Sequence, residues 1–299
     1  MAFSLDGQLL ASGDGAAEVK VWNAKSRKHI ADLTLEPSIQ DDNSADSLDF
    51  SRDGRFLAVG YLDSKVRLWD FGAKTVKHVL KGHKSWIHSV KYTRDGKTLA
   101  SASGDETVRL WNASTGEFRE RLEDCQGGAR ALTFSHDGSW LGAGCFEGTI
   151  KLWQLKEPKK SFQLNGRQGA VFSLDFSPDC ATLASGGADG IVDLWDLAKS
   201  QVRTRLIGHK TTASFDGSQV RQKGFVWCVA YSPDGKILAS GAEYMTIILW
   251  DAATGRLLKT LTGHKNRVKS LAFSPDGKLL ASGSDDTTVK LWEISKVLP

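Results

Sequence analysis

The stretch LAFSPDGKLLASGSDDTTVKLW, Leu271–Trp292, decides the fold. Together with the residues just before it, it holds three short β-branched and aromatic runs: Val268–Phe273, Lys278–Ser282 and Thr288–Trp292. The turn formers Pro275-Asp276-Gly277 and Asp285-Asp286 break them apart, so the segment reads as three antiparallel strands. The same wording recurs as VAYSPDGKILASGAEYMTIILW at Val229–Trp250 and LDFSPDCATLASGGADGIVDLW at Leu174–Trp195. Weaker copies end at Trp153, Trp111, Trp69 and Trp22, which makes seven, at intervals of 47, 42, 42, 42, 55 and 42 residues. After Gly255 the run Arg256–Leu261 supplies a fourth, outer strand. A four-stranded sheet cannot bury both faces alone, whereas sheets stacked radially bury both and leave only short edges.

A period near 42 closed by Trp-Asp (Trp69-Asp70, Trp195-Asp196, Trp250-Asp251) resembles the WD-repeat family, along essentially the whole chain. The near-identical copies are similar to the regular propellers found in bacteria. The resemblance implies an all-β, seven-bladed β-propeller of four-stranded antiparallel blades forming one domain over residues 1–299. It also implies a supporting network in each blade: a His before the inner strand, a Ser or Thr on the second strand, an Asp in the next turn and the closing Trp. Blade three carries the set His83, Ser101, Asp105 and Trp111; blade seven carries His264, Ser282, Asp286 and Trp292. Blade five has Arg167 at the His position, blade six has Tyr244 at the Asp position, and blade four has Cys125, Ala143 and Glu147. Blade four is therefore expected to be the softest.

Composition excludes several classes. No run of 18 apolar residues exists, and the start MAFSLDGQLLASG has neither a basic n-region nor an apolar h-region, so a cytoplasmic protein is expected. Its four cysteines (Cys125, Cys145, Cys180, Cys228) form no C-x-x-C pair and are expected to be reduced thiols. The sequon Asn112-Ala113-Ser114 reads as chance, and a net charge of +4 does not by itself imply nucleic acid. Asp95-Gly96-Lys97-Thr98 looks like half a phosphate loop, but Lys91 stands where its first glycine belongs, so it reads as a hairpin turn. No metal-ligand spacing and no paired acids occur; no enzyme, metal or cofactor is expected.

Two long intervals carry polar, turn-rich insertions, within Leu35–Ser47 and at Lys210–Gly224, both read as loops on the face that carries the Asp turns. The chain begins halfway through an inner strand and ends without an outer strand for blade seven. Ring closure is therefore expected to be incomplete, with an upstream segment, a partner or self-association supplying the missing strand.

In the family, residues flanking the first apolar residue of each inner strand, and the residue preceding the turn Asp, reach the top face. Carried over by position, these are Trp86, His88, Arg130, Phe146, Phe172, Phe225, Trp227, Glu243, Arg267 and Lys269, with Tyr244 beside them and Asp46, Leu62 and Asp285 completing the set. Five are Trp or Phe, the composition of an interface core, although these rings could instead pack between blades. Lys84, Lys210, Arg221, Lys223 and Lys265 lie on the same connections. The expected function is a scaffold or sensor that binds a protein or peptide, with neither Trp86 nor Trp227 in a supporting network. A nucleic-acid-binding propeller, using the basic rim and the aromatics, is the alternative.

Overall fold

The computed structural model describes the backbone of residues 1–36, 43–156, 160–166, 169–215 and 218–297, and the side chains of all of these except 210–215 and 218–223. Arg167 lies outside the described residues, as do the side chains of Lys210, Arg221 and Lys223. The fold class is the seven-bladed β-propeller. Its inner strands are Ala2–Phe3, Ala45–Phe50, Ile87–Tyr92, Ala129–Phe134, Val171–Phe176, Val226–Tyr231 and Val268–Phe273. Each blade runs antiparallel from inner to outer strand, and the first six have four strands. Three strands make up the seventh among the described residues, and the short helix Ile294–Val297 follows. By contact density the chain forms two compact units, Met1–Phe146 with Lys151–Phe162, and Glu147–Ile150 with Gln163–Pro299.

Burial follows the repeat. Second strands such as Thr98–Ser103 and Thr182–Gly187 are buried almost throughout, which is why they read Leu-Ala-Ser-Ala or Leu-Ala-Ser-Gly. Small residues there let neighbouring blades approach: a Cβ on Gly60 would strike Ile87, and one on Gly186 would strike Val226. Outer strands such as Thr75–Leu80 alternate between exposed and half-buried positions and accordingly carry Lys, Arg and Thr.

Hydrogen bonds tie adjacent inner strands inside each unit. In the first unit the Val90 and Tyr92 amides donate to Ser47 Oγ (3.0 Å) and Asp49 Oδ2 (2.8 Å). In the second, the Val229 and Tyr231 amides donate to Ser173 Oγ (3.0 Å) and Asp175 Oδ2 (2.7 Å). The same Ser-Leu-Asp triplet makes both pairs of bonds.

Two expectations are overturned. Lys210–Gly224 is not simply a loop: Lys210–Phe215 and Ser218–Lys223 pair as a hairpin, from Lys210 opposite Lys223 to Phe215 opposite Ser218. Its Thr, Val and Phe content suits strands. Nor are all four cysteines reduced. Cys125 and Cys145 form a disulfide with a Cα–Cα distance of 5.3 Å, leaving Cys180 and Cys228 free. Cys145 stands opposite Ala129 in the sheet, and the loop before Ala129, turned by the Gly128 amide on the Cys125 carbonyl (2.9 Å), carries Cys125 back to it.

Candidate interaction surface

The supporting side chains come first, because they fix the loops that carry the surface. In blade three, Trp111 Nε1 donates to Ser101 Oγ (2.8 Å), and His83 Nε2 lies 2.7 Å from the same oxygen. The Asp105 carboxylate can only accept, so His83 Nδ1–H donates to Oδ2 at 2.9 Å, while Ser101 Oγ joins the indole to Nε2. Burial pushes the Asp105 carboxyl up, but bonds from His83, Thr107 and the Lys84 amide outweigh it and hold the group well below the usual range. Blade seven repeats the arrangement: Trp292 Nε1 to Ser282 Oγ, His264 Nε2 to Ser282 Oγ and His264 Nδ1 to Asp286 Oδ2, each at 2.8 Å.

The other blades vary the device. Blade six joins His209, Ser240 and Trp250 (2.7 and 2.8 Å) without an Asp, and burial drives the His209 ring down to about 4. In blade two Trp69 Nε1 donates to Tyr61 Oη (3.1 Å), and Arg67, buried over the Tyr61 ring, forks onto Asp63 at 3.0 and 2.6 Å. Asp63 stands at the turn-Asp position, six residues before Trp69, but its partners Tyr61 and Arg67 stand outside the His-Ser-Asp pattern. Blade four uses the Cys125–Cys145 bond, which removes the premise that it is the softest.

These supports end at a recurrent backbone bond. The amide preceding the turn Asp donates to the carbonyl before the inner strand: Gly104 to Trp86 (3.0 Å), Phe146 to Gly128 (3.0 Å), Glu243 to Phe225 (2.9 Å) and Asp285 to Arg267 (3.0 Å). Each bond sits beside the bulge where inner and second strands slip register, as between Ala102 and Ser103. The two sequence positions expected to reach the surface are thus held side by side in each of these blades.

In the first unit this gathers Trp86, His88, Arg130, Phe146 and Asp46. The Trp86 ring is 56% exposed and meets the edge of His88 at 6.3 Å. His88 in turn meets Phe146 at 5.5 Å, with the Arg130 guanidinium over the far ring at 5.4 Å. His88 Nδ1 sits between Asp46 Oδ2 (3.3 Å) and Arg130 Nη1 (3.4 Å). Desolvation lowers the Arg130 guanidinium, and Asp46 partly offsets it.

The second unit gathers Phe172, Phe225, Trp227, Glu243, Arg267 and Lys269. Phe172 stacks on Trp227 at 4.5 Å and 13°, and the Lys269 ammonium lies 3.3 Å from the Trp227 centroid. The indole N–H donates to Glu243 Oε2 (2.7 Å), whose other oxygen pairs with Arg267 Nε at 2.6 Å. Phe225 meets both other rings edge-on at 5.7 Å and is 40% exposed. Among the described residues Trp227 makes no contact with a His-Ser-Asp-Trp support, but it is engaged inside its own cluster by Phe172, Glu243 and Lys269. The exposed ring here is Phe225, and Trp227 is its foundation. Tyr244 lies against Gly224, where a Cβ would strike its ring, and not in a His209 network.

Among the described residues no group of three or more His, Cys, Asp or Glu side chains could hold a metal, and no helix is long and apolar enough to cross a membrane. Asp95-Gly96 is a hairpin turn, with the Gly96 amide on the Thr93 carbonyl at 2.8 Å.

The family profile described as "WD domain, G-beta repeat" matches residues 40–70, 74–112, 116–154, 157–196, 209–251 and 255–293. The chain belongs to the WD40-repeat family. The matches cover blades two to seven of this WD40 protein, and the copy ending at Trp22 falls outside them. An uncharacterised WD repeat-containing protein of Nostoc sp. is 47% identical over 47 residues, 16% of this chain and 3% of that protein. The general transcriptional corepressor TUP1 of Saccharomyces cerevisiae is 34% identical over 67 residues, 22% of this chain and 9% of its own length. The matched stretches are thus a small part of each relative, one or two repeats long.

Proposed function

We propose that the protein is a non-catalytic interaction module, a scaffold or sensor, and that each of the two clusters is a contact surface for a protein or peptide. The observation that carries this reading is Trp86: an indole more than half exposed at a position fixed by a ladder bond. Leaving so large an apolar ring in water wastes burial energy, and aromatic anchors on rigid elements are what interfaces use. Phe225 repeats the feature in the second unit. The local likeness to a transcriptional corepressor fits a role in binding rather than catalysis.

Cations at the second cluster are already engaged within the chain, Arg267 by Glu243 and Lys269 by the Trp227 face. That favours a protein partner over the nucleic-acid alternative, which needs cations directed at phosphates. A photo-crosslinking residue placed at position 86 or 225 tests the reading. Crosslinks to a protein from those positions, and none from position 276 in an inner turn, support it. Crosslinks only to polynucleotide, lost as salt rises, overturn it.

A further inference from the structure

We propose that the Cys125–Cys145 bond positions the Phe146 and Arg130 edge of the first cluster, so that the geometry of this edge depends on the redox state of one buried cystine. The proposal adds to the reading above, on which its functional consequence rests. Both cysteines occupy positions that bind the same loop to the same strand elsewhere. Cys125 aligns with His83 and His264, whose rings bond Ser101 and Ser282 of the second strand. Cys145 aligns with Ser103 and Ser284, whose hydroxyls donate to the loop carbonyls of Ser85 (2.9 Å) and Asn266 (3.1 Å). In blade four neither hydrogen bond is available, because Ala143 stands at the Ser101 position and cysteine at the other two. One covalent bond replaces both links.

The loop so held leads straight into the cluster. The Gly128 amide donates to the Cys125 carbonyl (2.9 Å), and the Phe146 amide donates to the Gly128 carbonyl (3.0 Å). Gly128 has φ +113°, and a Cβ there would come within 3.0 Å of the Gly104 backbone and 3.2 Å of the Phe146 ring. Phe146 follows Cys145 directly, and Arg130 is two residues beyond Gly128. A loop with two adjacent glycines, Gly127-Gly128, has little intrinsic preference for this shape. The cystine supplies the constraint.

Reduction breaks the S–S bond. A dithiol supplies two electrons and two protons, becomes a disulfide itself, and leaves Cys125 and Cys145 as thiols. Both residues are buried, at 1% and 0% exposure, so attack requires the loop to open first and the response is slow.

Dithiothreitol treatment of the full-length protein tests this directly. Alkylation after denaturation should label two thiols in untreated protein and four after reduction. Hydrogen exchange at the Gly128 and Phe146 amides should then speed up roughly tenfold or more, with the equivalent Asp285 amide of blade seven unchanged. The variant Cys125→His/Ala143→Ser/Cys145→Ala gives blade four the His–Ser–Trp set of blade six, with alanine as at Ala242. Its exchange at those amides should not respond to dithiothreitol. Four alkylated thiols before treatment, or identical exchange before and after full reduction, would overturn the proposal. Partner retention is scored separately: if Trp86→Ala keeps the partner, the binding reading fails whatever the loop does.

Discussion

Cys180 holds φ at 59°, where Gly7, Gly54, Gly96, Gly138, Gly235 and Gly277 hold 67–72° at the same turn of the other copies. Its side chain gains little in return: Sγ has one weak contact, 3.9 Å from the Pro178 carbonyl. A side chain in the left-handed region costs roughly 1–2 kcal/mol, partly offset by the freedom glycine loses on folding. Cys180→Gly should therefore raise the melting temperature, and an unchanged or lower value would show that the turn is not strained. His209 gives the second prediction at this scale. Its folded-state value, about 4, lies below the ordinary 6.5, so the unfolded chain binds a proton more readily. The stability that neutral His209 contributes is complete above about pH 6.5 and is lost as pH falls towards 4. Between pH 7 and 5 the wild type should lose more thermal stability than His209→Gln, which cannot titrate; parallel losses would contradict this. Asp105 and Asp286 have depressed values, so their contribution is complete above about pH 4 and fades only below it.

At the scale of the element, blades three, six and seven tie their entry loop to the second strand and closing Trp through one serine. Ser101 is the junction of blade three, bonded to His83 and Trp111 at once and fully buried. Ser101→Ala orphans both partners, and a buried unsatisfied group costs about 1–3 kcal/mol, so a clear drop in melting temperature is expected. A loss no larger than that of a surface substitution would show that the network is dispensable. The blades were legible in the sequence where the device lies within one copy at fixed spacing, as in His83–Ser101–Asp105–Trp111. They were not legible where it uses other chemistry. Tyr61 and Arg67 in blade two, which engage an Asp63 that does stand at the turn-Asp position, and the cystine of blade four, fit no His-Ser-Asp pattern. The hairpin at 210–223 was missed because its strands are polar, without the apolar alternation that marks a buried face.

For the whole molecule, the candidate surface was legible by position but not by role. Counting from each inner strand located every cluster residue, because the ladder bond recurs from blade to blade. It could not show which ring is presented, since that depends on side chains from three blades: Trp227 is engaged by Glu243 of its own blade, Phe172 of blade five and Lys269 of blade seven. Phe225→Ala and Trp86→Ala should therefore leave the fold intact while weakening partner binding by ~2 kcal/mol or more, about thirtyfold in Kd. Trp227→Ala should lower both stability and binding. Trp111→Ala, which empties a fully buried site, should cost about 3–5 kcal/mol of stability. The most direct test measures melting temperature and partner retention together in Trp86→Ala, Phe225→Ala and Trp111→Ala. An interaction module with presented rings predicts lost retention at unchanged melting for the first two and a lowered melting temperature for the third. If Trp86→Ala and Phe225→Ala instead melt as early as Trp111→Ala, or retain the partner in full, the rings are not the binding surface and the account is wrong.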